Sequence, residues 1–176
     1  MFDKEYSFKG ITAERVNLLT SDFDGKGNKL FPSNISVYQL APLVGFLYNK
    51  KFDEERNTEI KPTKIFVGEQ LRVQDDLKFN YRLIMLLDKN NEPDTEKRID
   101  KAFREYGSEQ AKADEELFES YVRGGVNVLY EKLMDGVNNQ DEYIPRLYDF
   151  MEEYDERYKQ NVDLQNILTL CRKAKV

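Results

Sequence analysis

Apolar residues recur at steps of three and four along much of this chain, the spacing that places side chains on one face of an α-helix. The longest such segment runs from Asp114 to Met134 and predicts a helix of about six turns. Its middle holds Gly124-Gly125, which costs roughly 1 kcal/mol per glycine relative to alanine. We therefore expect a kink, a very close packing contact or a ligand site at this glycine pair.

Helix starts and stops mark further segments, because Ser, Thr, Asp and Asn cap helix N-termini whereas Gly and Pro end helices. Residues 49–63 are polar and irregular and form the longest predicted loop. The apolar run from Leu83 to Leu87 is interpreted as a core segment. The capping signals and apolar spacing together predict helices at 12–19, 34–48, 75–87, 95–106, 141–159 and 163–173.

The segment from Thr63 to Leu71 is ambiguous. Ile65-Phe66-Val67 suits a strand, but a short helix capped by Thr63 fits the rest of the chain better. With this helix included, the pattern predicts six to eight helices and no convincing strand. We therefore predict an all-α fold, a compact multi-helix domain over residues 1–176 with bundle-like or orthogonal packing.

The composition agrees with one helical domain. The 176 residues are 40% apolar and 34% charged, and a chain of this length buries roughly 70% of its unfolded surface. The net charge is −6, so the chain is acidic, although a local basic face can still attract phosphates. The N-terminus has no apolar signal-peptide region, and no apolar run approaches the roughly 18 residues that span a bilayer. We expect a cytoplasmic protein without membrane contact.

The chain contains no histidine, and this absence excludes several kinds of chemistry. Ser-His and Cys-His nucleophiles, histidine bases and mixed His/Cys zinc sites all need the imidazole ring. The single cysteine, Cys171, excludes an internal disulfide and is expected to be buried. The sequence indicates no cofactor and no catalytic residue set.

A segment that begins at Asp22 starts like a calcium-binding loop. Asp22, Asp24 and Gly27 occupy the first, third and sixth positions, where such a loop has oxygen ligands and a glycine. Lys26 occupies the fifth position, where an oxygen ligand belongs, and Ser33 stands at the twelfth instead of glutamate. An Asp/Gly turn without metal accounts for the same residues.

The run Glu115-Glu116-Leu117-Phe118-Glu119 resembles the first half of the metal-binding motif of all-α nucleotide pyrophosphohydrolases of the MazG kind. The resemblance implies Mg²⁺ held by carboxylates of two facing helices, where it activates water for attack on a diphosphate. The second half would be Glu131 to Asp135, one residue longer than the family's spacing. On one continuous helix Glu119 and Glu131 lie about 18 Å apart. The match therefore requires the chain to reverse at Gly124-Gly125.

A basic helix face is a candidate site for nucleic acid or another anion. Lys97, Lys101 and Arg104 are spaced to line one side of a helix, with Arg98 beside them. Such cations can contact phosphates, and a helix surface with interleaved acids has the same appearance.

Two arginines have apolar or glycine neighbours. Arg123 precedes Gly124-Gly125, and it is a second anion-binding candidate because glycines let a ligand approach and a guanidinium grips carboxylate or phosphate. A helix–helix contact is the other interpretation. Arg82 precedes the apolar run and is expected to pair with Asp75, Asp76 or a carboxylate on another helix.

The functional hypotheses follow mainly from what the chain lacks. The leading hypothesis is a non-enzymatic helical interaction or adaptor subunit of a bacterial cytoplasmic assembly, whose partner is another protein or a second copy of the chain. One alternative is a nucleic-acid-associated factor that binds through the basic helix face. The other is a Mg²⁺-dependent nucleotide pyrophosphohydrolase that uses Glu115, Glu116 and Glu119.

Overall fold

The computed structural model describes residues 1–55, 59–137 and 139–159. The chain divides into two compact units, Met1–Asp135 and Gly136–Val176. The expectation of a single domain over 1–176 stays a prediction. The predicted helix at 163–173 and Cys171 lie outside the described residues.

The first unit is mainly helical. Among its described residues the elements are β1 (Tyr6–Phe8), α1 (Gly10–Leu19), α2 (Asn34–Leu47), β2 (Thr63–Ile65), α3 (Val67–Arg72), α4 (Gln74–Leu87), α5 (Thr95–Ile99) and α6 (Lys112–Leu133).

The second unit contains α7 (Tyr143–Lys159), which follows a 3-10 turn and carries Pro145 in its first turn. Together the two units confirm the mostly helical fold class. No helix in the described parts of the chain has the length and apolar character needed to cross a membrane.

Part of the predicted helix at 63–71 is a strand. β1 and β2 pair antiparallel, with Ser7 opposite Lys64, and α3 begins only at Val67. Thr63 and Ile65 are buried while Lys64 between them is exposed, which is the period-two pattern of a strand with one buried face. Because the pattern covers only three residues, the sequence did not separate it from the helix that follows.

The contact between α2 and α6 is a backbone-to-backbone approach at glycines. A Cβ atom added to Gly125 would lie 1.7 Å from the carbonyl oxygen of Ala41, and one added to Gly45 would lie 2.1 Å from that of Tyr121. α6 continues through Gly124-Gly125 without interruption. The glycine pair is therefore a close packing contact, one of the three expected outcomes.

The turn at the end of α2 directs the following residues along α6. Asn49 has φ +50°, and the amide of Lys50 donates to the carbonyl of Gly45 at 2.8 Å, as in a Schellman motif. The amide of Phe52 then donates to the carbonyl of Ser120 at 3.0 Å. The start of the predicted loop is thus a strap, residues 50–52, that is fixed along α6.

The N-terminus of α1 is capped by a residue from that same loop. Glu55 accepts a hydrogen bond of 2.6 Å from the amide of Ile11, and α1 begins at Gly10, two residues before the predicted start at Thr12. Gly10 has φ +55°, and its missing Cβ leaves space for the Glu55 side chain. A carboxylate also suits the positive end of a helix. Since this cap comes from a distant residue, local sequence signals misplace the boundary.

The predicted N-terminal cap and C-terminal stop of the helix at 95–106 are confirmed. Asp94 caps the helix by accepting hydrogen bonds from the amides of Glu96 and Lys97 at 2.8 and 3.3 Å. A π-helical turn (Asp100–Arg104) continues α5, and Gly107 ends this region with φ +79°.

Aromatic rings fill the core of the first unit. Four buried rings meet edge to face, with their centroids 5.8 to 6.5 Å apart. They come from the N-terminal segment, α2 and α6, and belong to Phe2, Phe8, Tyr38 and Phe118. Such pairs stabilise a core by about 0.5–1.5 kcal/mol each beyond the area that they bury. The rings therefore hold the N-terminal segment against α2 and α6.

Replacing Gly125 with alanine is expected to destabilise the fold by about 3 kcal/mol, because the new methyl group meets backbone atoms that cannot rotate away. Chemical denaturation measures this change in the free energy of unfolding. The matched control is Gly68→Ala in α3, where nothing lies within 4 Å of the added carbon. There alanine's better helix propensity adds up to about 1 kcal/mol. Equal stabilities of the two variants would contradict the close contact.

Candidate functional site

A buried polar cluster lies where β1, α2 and α6 meet. The hydroxyl of Tyr38 donates to Oε1 of Glu119 at 2.6 Å, and the ring of Tyr6 lies 4.7 Å from the Tyr38 ring. Tyr38 is almost completely buried. Tyr38 and Glu119 are 81 positions apart in the sequence, so no local sequence motif predicts their hydrogen bond.

Glu119 is an unusual carboxyl group because its second oxygen, Oε2, is buried without a hydrogen-bond partner. Burial raises the pKa of Glu119 to about 7, against the opposing effects of the Tyr38 hydrogen bond and the positive charge of Arg123. Near neutral pH this carboxyl group is therefore part protonated and part ionised.

Arg123 lies beside this cluster and is bound on two sides. Its Nε donates to the carbonyl of Phe52 at 2.8 Å, and its terminal nitrogen pairs with Glu116. Arg123 is 5% exposed, so the guanidinium fastens the strap to α6.

A cavity of about 260 Å³ adjoins the cluster. The α-ammonium group of Met1 lies 3.4 Å from Asp3 and 3.7 Å from Glu115 at this cavity, and the ammonium lowers the pKa of Asp3. The cavity lining includes positively and negatively charged groups. It consists of Met1, Asp3, Lys4, Lys112, Glu115, Glu116 and Glu119.

The three candidate Mg²⁺ ligands on α6 have separate partners. Glu115 faces the Met1 ammonium, Glu116 pairs with Arg123, and Glu119 bonds to Tyr38. Because α6 runs unbroken to Leu133, Glu131 stays about 18 Å along the helix from Glu119. Within the described ranges, no group of three or more Asp, Glu, His or Cys residues could hold a metal ion.

The segment at Asp22 forms an Asx-type turn. The carboxylate of Asp22 accepts hydrogen bonds from the amides of Asp24, Gly25 and Gly27 at 2.8–3.0 Å. Hydrogen bonds from the Asn28 side chain and from backbone amides lower the pKa of Asp24 to about 2. Both carboxylates thus bind the loop's own donors.

The predicted basic face does not gather its four cations on one surface. Arg98 is buried and donates to the carbonyls of Leu86, Glu92 and Pro93 at 2.8–2.9 Å, which fastens α5 to the end of α4.

The other three cations also separate. Lys101 forms a 2.8 Å ion pair with the buried Asp114, and Arg104 pairs with Asp100 on the π-helical turn. Lys97 is exposed to solvent. The π-helical turn, with its hydrogen bonds from residue i to i+5, also changes the spacing on which the face was predicted.

After its first turn, where Asp75 and Asp76 are exposed, the solvent side of α4 is apolar, although the sequence interpretation placed Leu83 and Leu86 in the core. Phe79 is 63% exposed, and Leu83 and Leu86 are half-buried, whereas Ile84 is fully buried. At roughly 100° per residue, Phe79, Leu83 and Leu86 fall within an arc of about 60°. We call these three residues the outer face of α4. Their spacing of four and three indicates one helix face in the sequence. The continuous apolar run from Leu83 to Leu87 made this face hard to distinguish from the buried one.

Arg82 borders this outer face without an acidic partner. Its guanidinium lies 5.3 Å from the ring centroid of Phe103, which is itself half-exposed. Its Nε is buried without a hydrogen-bond partner, and no salt bridge joins it to a carboxylate in the described parts of the chain. The expected pairing with Asp75 or Asp76 is therefore wrong. The aromatic contact supplies part of the stabilisation that an ion pair would give.

No protein-family model, curated protein or solved structure matches this chain.

Replacing Glu119 with glutamine is expected to remove a pH dependence of stability. Because the folded-state pKa lies above the ordinary value, the folded chain holds this proton more tightly than the unfolded chain does. The stabilisation is complete below about pH 4.5 and is lost as the pH rises to about 7, on the order of 2 kcal/mol between pH 5 and 8.

Denaturation of both proteins across this pH range measures the effect. The free energy of unfolding of Glu119→Gln minus that of the unsubstituted chain should become more positive as the pH rises, because only the unsubstituted chain loses the stabilisation. Glu131→Gln is the matched control, since Glu131 lies on the same helix but is exposed, and its difference should stay constant. Parallel curves for Glu119→Gln would show that the carboxyl group is not perturbed by burial.

Proposed function

We propose that this chain is a non-enzymatic interaction subunit of a bacterial cytoplasmic assembly, and that it binds its partner through the outer face of α4. The observation that carries the proposal is that α4, after its acidic first turn, has apolar side chains on its solvent side as well as on its buried side. Leu77, Tyr81 and Ile84 are buried against the core, while Phe79 projects into solvent on the other side. A helix that needs only one partner surface is apolar on only one side.

Neighbouring residues extend this apolar surface. Leu87 at the end of α4 is 46% exposed, and Phe103 beyond α5 is 52% exposed. Aromatic side chains together with arginine are enriched at protein interfaces and often dominate their binding energy. Phe79, Phe103 and Arg82 supply that combination around α4.

The two alternative functions have less support. A nucleic-acid surface needs free cations, and Arg98 and Lys101 are engaged by carbonyls and by Asp114. A Mg²⁺ site needs carboxylates that converge, and Glu116 and Glu119 are held by Arg123 and Tyr38. The proposed interaction surface instead contains side chains that are open to solvent, since Phe79, Leu87 and Phe103 are 46–63% exposed.

A photo-crosslinking amino acid at position 87 tests the proposal in the cells that produce the protein. We expect a discrete crosslinked adduct, and we expect Phe79→Lys to reduce its yield about tenfold, because a charge at the centre of an apolar contact must be desolvated. Leu18→Lys on α1 is the matched control: Leu18 is also an exposed leucine, at 38%, and its replacement should leave the yield unchanged. An adduct that Phe79→Lys does not reduce, or no adduct, would count against the outer face as a binding surface.

A further inference from the structure

Two residues of opposite charge flank the outer face of α4. Asp75 lies about 6 Å before Phe79 along the helix axis, and Arg82 lies about 4.5 Å after it. At roughly 100° per residue, Asp75 and Arg82 fall within about 20° of each other, on the same side of Phe79. The exposed ring of Phe79 therefore lies near the midpoint between an acidic and a basic group.

Neither of these two charges is paired in the described parts of the chain. The carboxylate of Asp75 is exposed and has no hydrogen-bond or ion-pair partner among the described residues. The guanidinium of Arg82 packs on Phe103 and lacks a carboxylate partner there as well. Asp76 differs, because it lies about 100° further round the helix and accepts a 3.3 Å hydrogen bond from Gln39. Asp75 and Arg82 are therefore the groups that can pair with charges on a partner.

This order of groups is self-complementary about a twofold axis. Two copies of α4 that pack antiparallel, with the axis near Phe79, bring residues on the same side of the helix together in reverse order. Arg82 of one copy then lies at the level of Asp75 of the other, because their distances from Phe79 differ by only about 1.5 Å. The pair forms twice, once at each end of the contact.

We infer that the partner of the outer face of α4 is a second copy of this chain, bound through its own α4 in an antiparallel, twofold contact. Phe79 of each copy packs against Phe79 and Leu83 of the other, and two Arg82–Asp75 ion pairs border these apolar side chains. Each guanidinium gains a carboxylate together with more apolar surface, which stabilises a charge that is partly removed from water. The inference rests on the proposed function, because it names the occupant of the same surface.

The length of α4 limits the strength of this contact. The helix has 14 residues and is about 21 Å long. A contact between two helices of this length is at or below the low end of the roughly 1,200–2,000 Å² that standard interfaces bury. We therefore expect a reversible dimer with a Kd on the order of 10 μM.

Two purified full-length variants, Arg82→Glu and Asp75→Arg, test the inference. Each variant alone places like charges together at both ends of the contact. Sedimentation velocity at low ionic strength, where ion pairs are screened least, should show a concentration-dependent dimer for the unsubstituted chain. The dimerisation of either variant should be weakened about tenfold or more.

Combining the two changes should restore the dimer. In an equimolar mixture of the variants, every ion pair of the mixed dimer again joins a carboxylate to a guanidinium. The double variant Arg82→Glu/Asp75→Arg should also dimerise, because it exchanges the two charges within each copy. These recoveries exclude misfolding as the cause of the single-variant effects.

Glu14→Arg is the matched control, because it makes the same charge change as Asp75→Arg on an exposed residue of α1. Its dimerisation should equal that of the unsubstituted chain. A loss as large as that of Asp75→Arg would mean that net charge controls the association, and it would overturn the inference.

Three further results would overturn the inference: a monomer up to several hundred micromolar, about ten times the expected Kd or more, a dimer that neither variant weakens, or a mixture that stays monomeric. The proposed function fails by a different result, the absence of a Phe79-dependent adduct from position 87. An adduct with a different protein would retain the proposed function and remove the second copy as the partner.

Discussion

The close approach of α2 and α6 at Gly45 and Gly125 is the constraint on which the first unit depends. At these positions a carbonyl oxygen of one helix occupies the space of a missing side chain on the other. Such contacts fix both the spacing and the register of two helices, because backbone atoms cannot change rotamer. The register brings Tyr38 of α2 to Glu119 of α6. The position of the buried polar cluster is therefore a consequence of the glycines.

The helices could largely be predicted from the sequence, since the spacing of apolar residues and the capping residues act over a few positions. α2, α4 and α6 lie within one or two residues of their predicted bounds. The departures have nonlocal causes. The pairing of β1 with β2 joins segments far apart in the chain, and Glu55 begins α1 from outside its own sequence. Short-range signals carry no information on either interaction.

The candidate site residues show the same limit. Charged residues were selected by their spacing on helices, but the surroundings of a charge depend on which distant groups reach it. Arg98 binds backbone carbonyls that precede it, and Lys101 meets Asp114 from the next helix. The exposed apolar surface of α4 was visible as a spacing of four and three. The sequence places Leu83 and Leu86 of this surface in the core, because an apolar side chain does not indicate whether its partner belongs to the same chain or to another one.

The cap on α1 couples the start of this helix to a distant part of the chain. Ile11 receives its hydrogen-bond acceptor from Glu55, 44 residues later, and Glu55 follows the strap that lies along α6. The cap on the first turn of α1 is therefore present only where the strap is in place along α6. Closing so long a loop has an entropic cost that grows with its length and slows folding. The stability of the first turn of α1 therefore depends on the packing of α2, α6 and the strap.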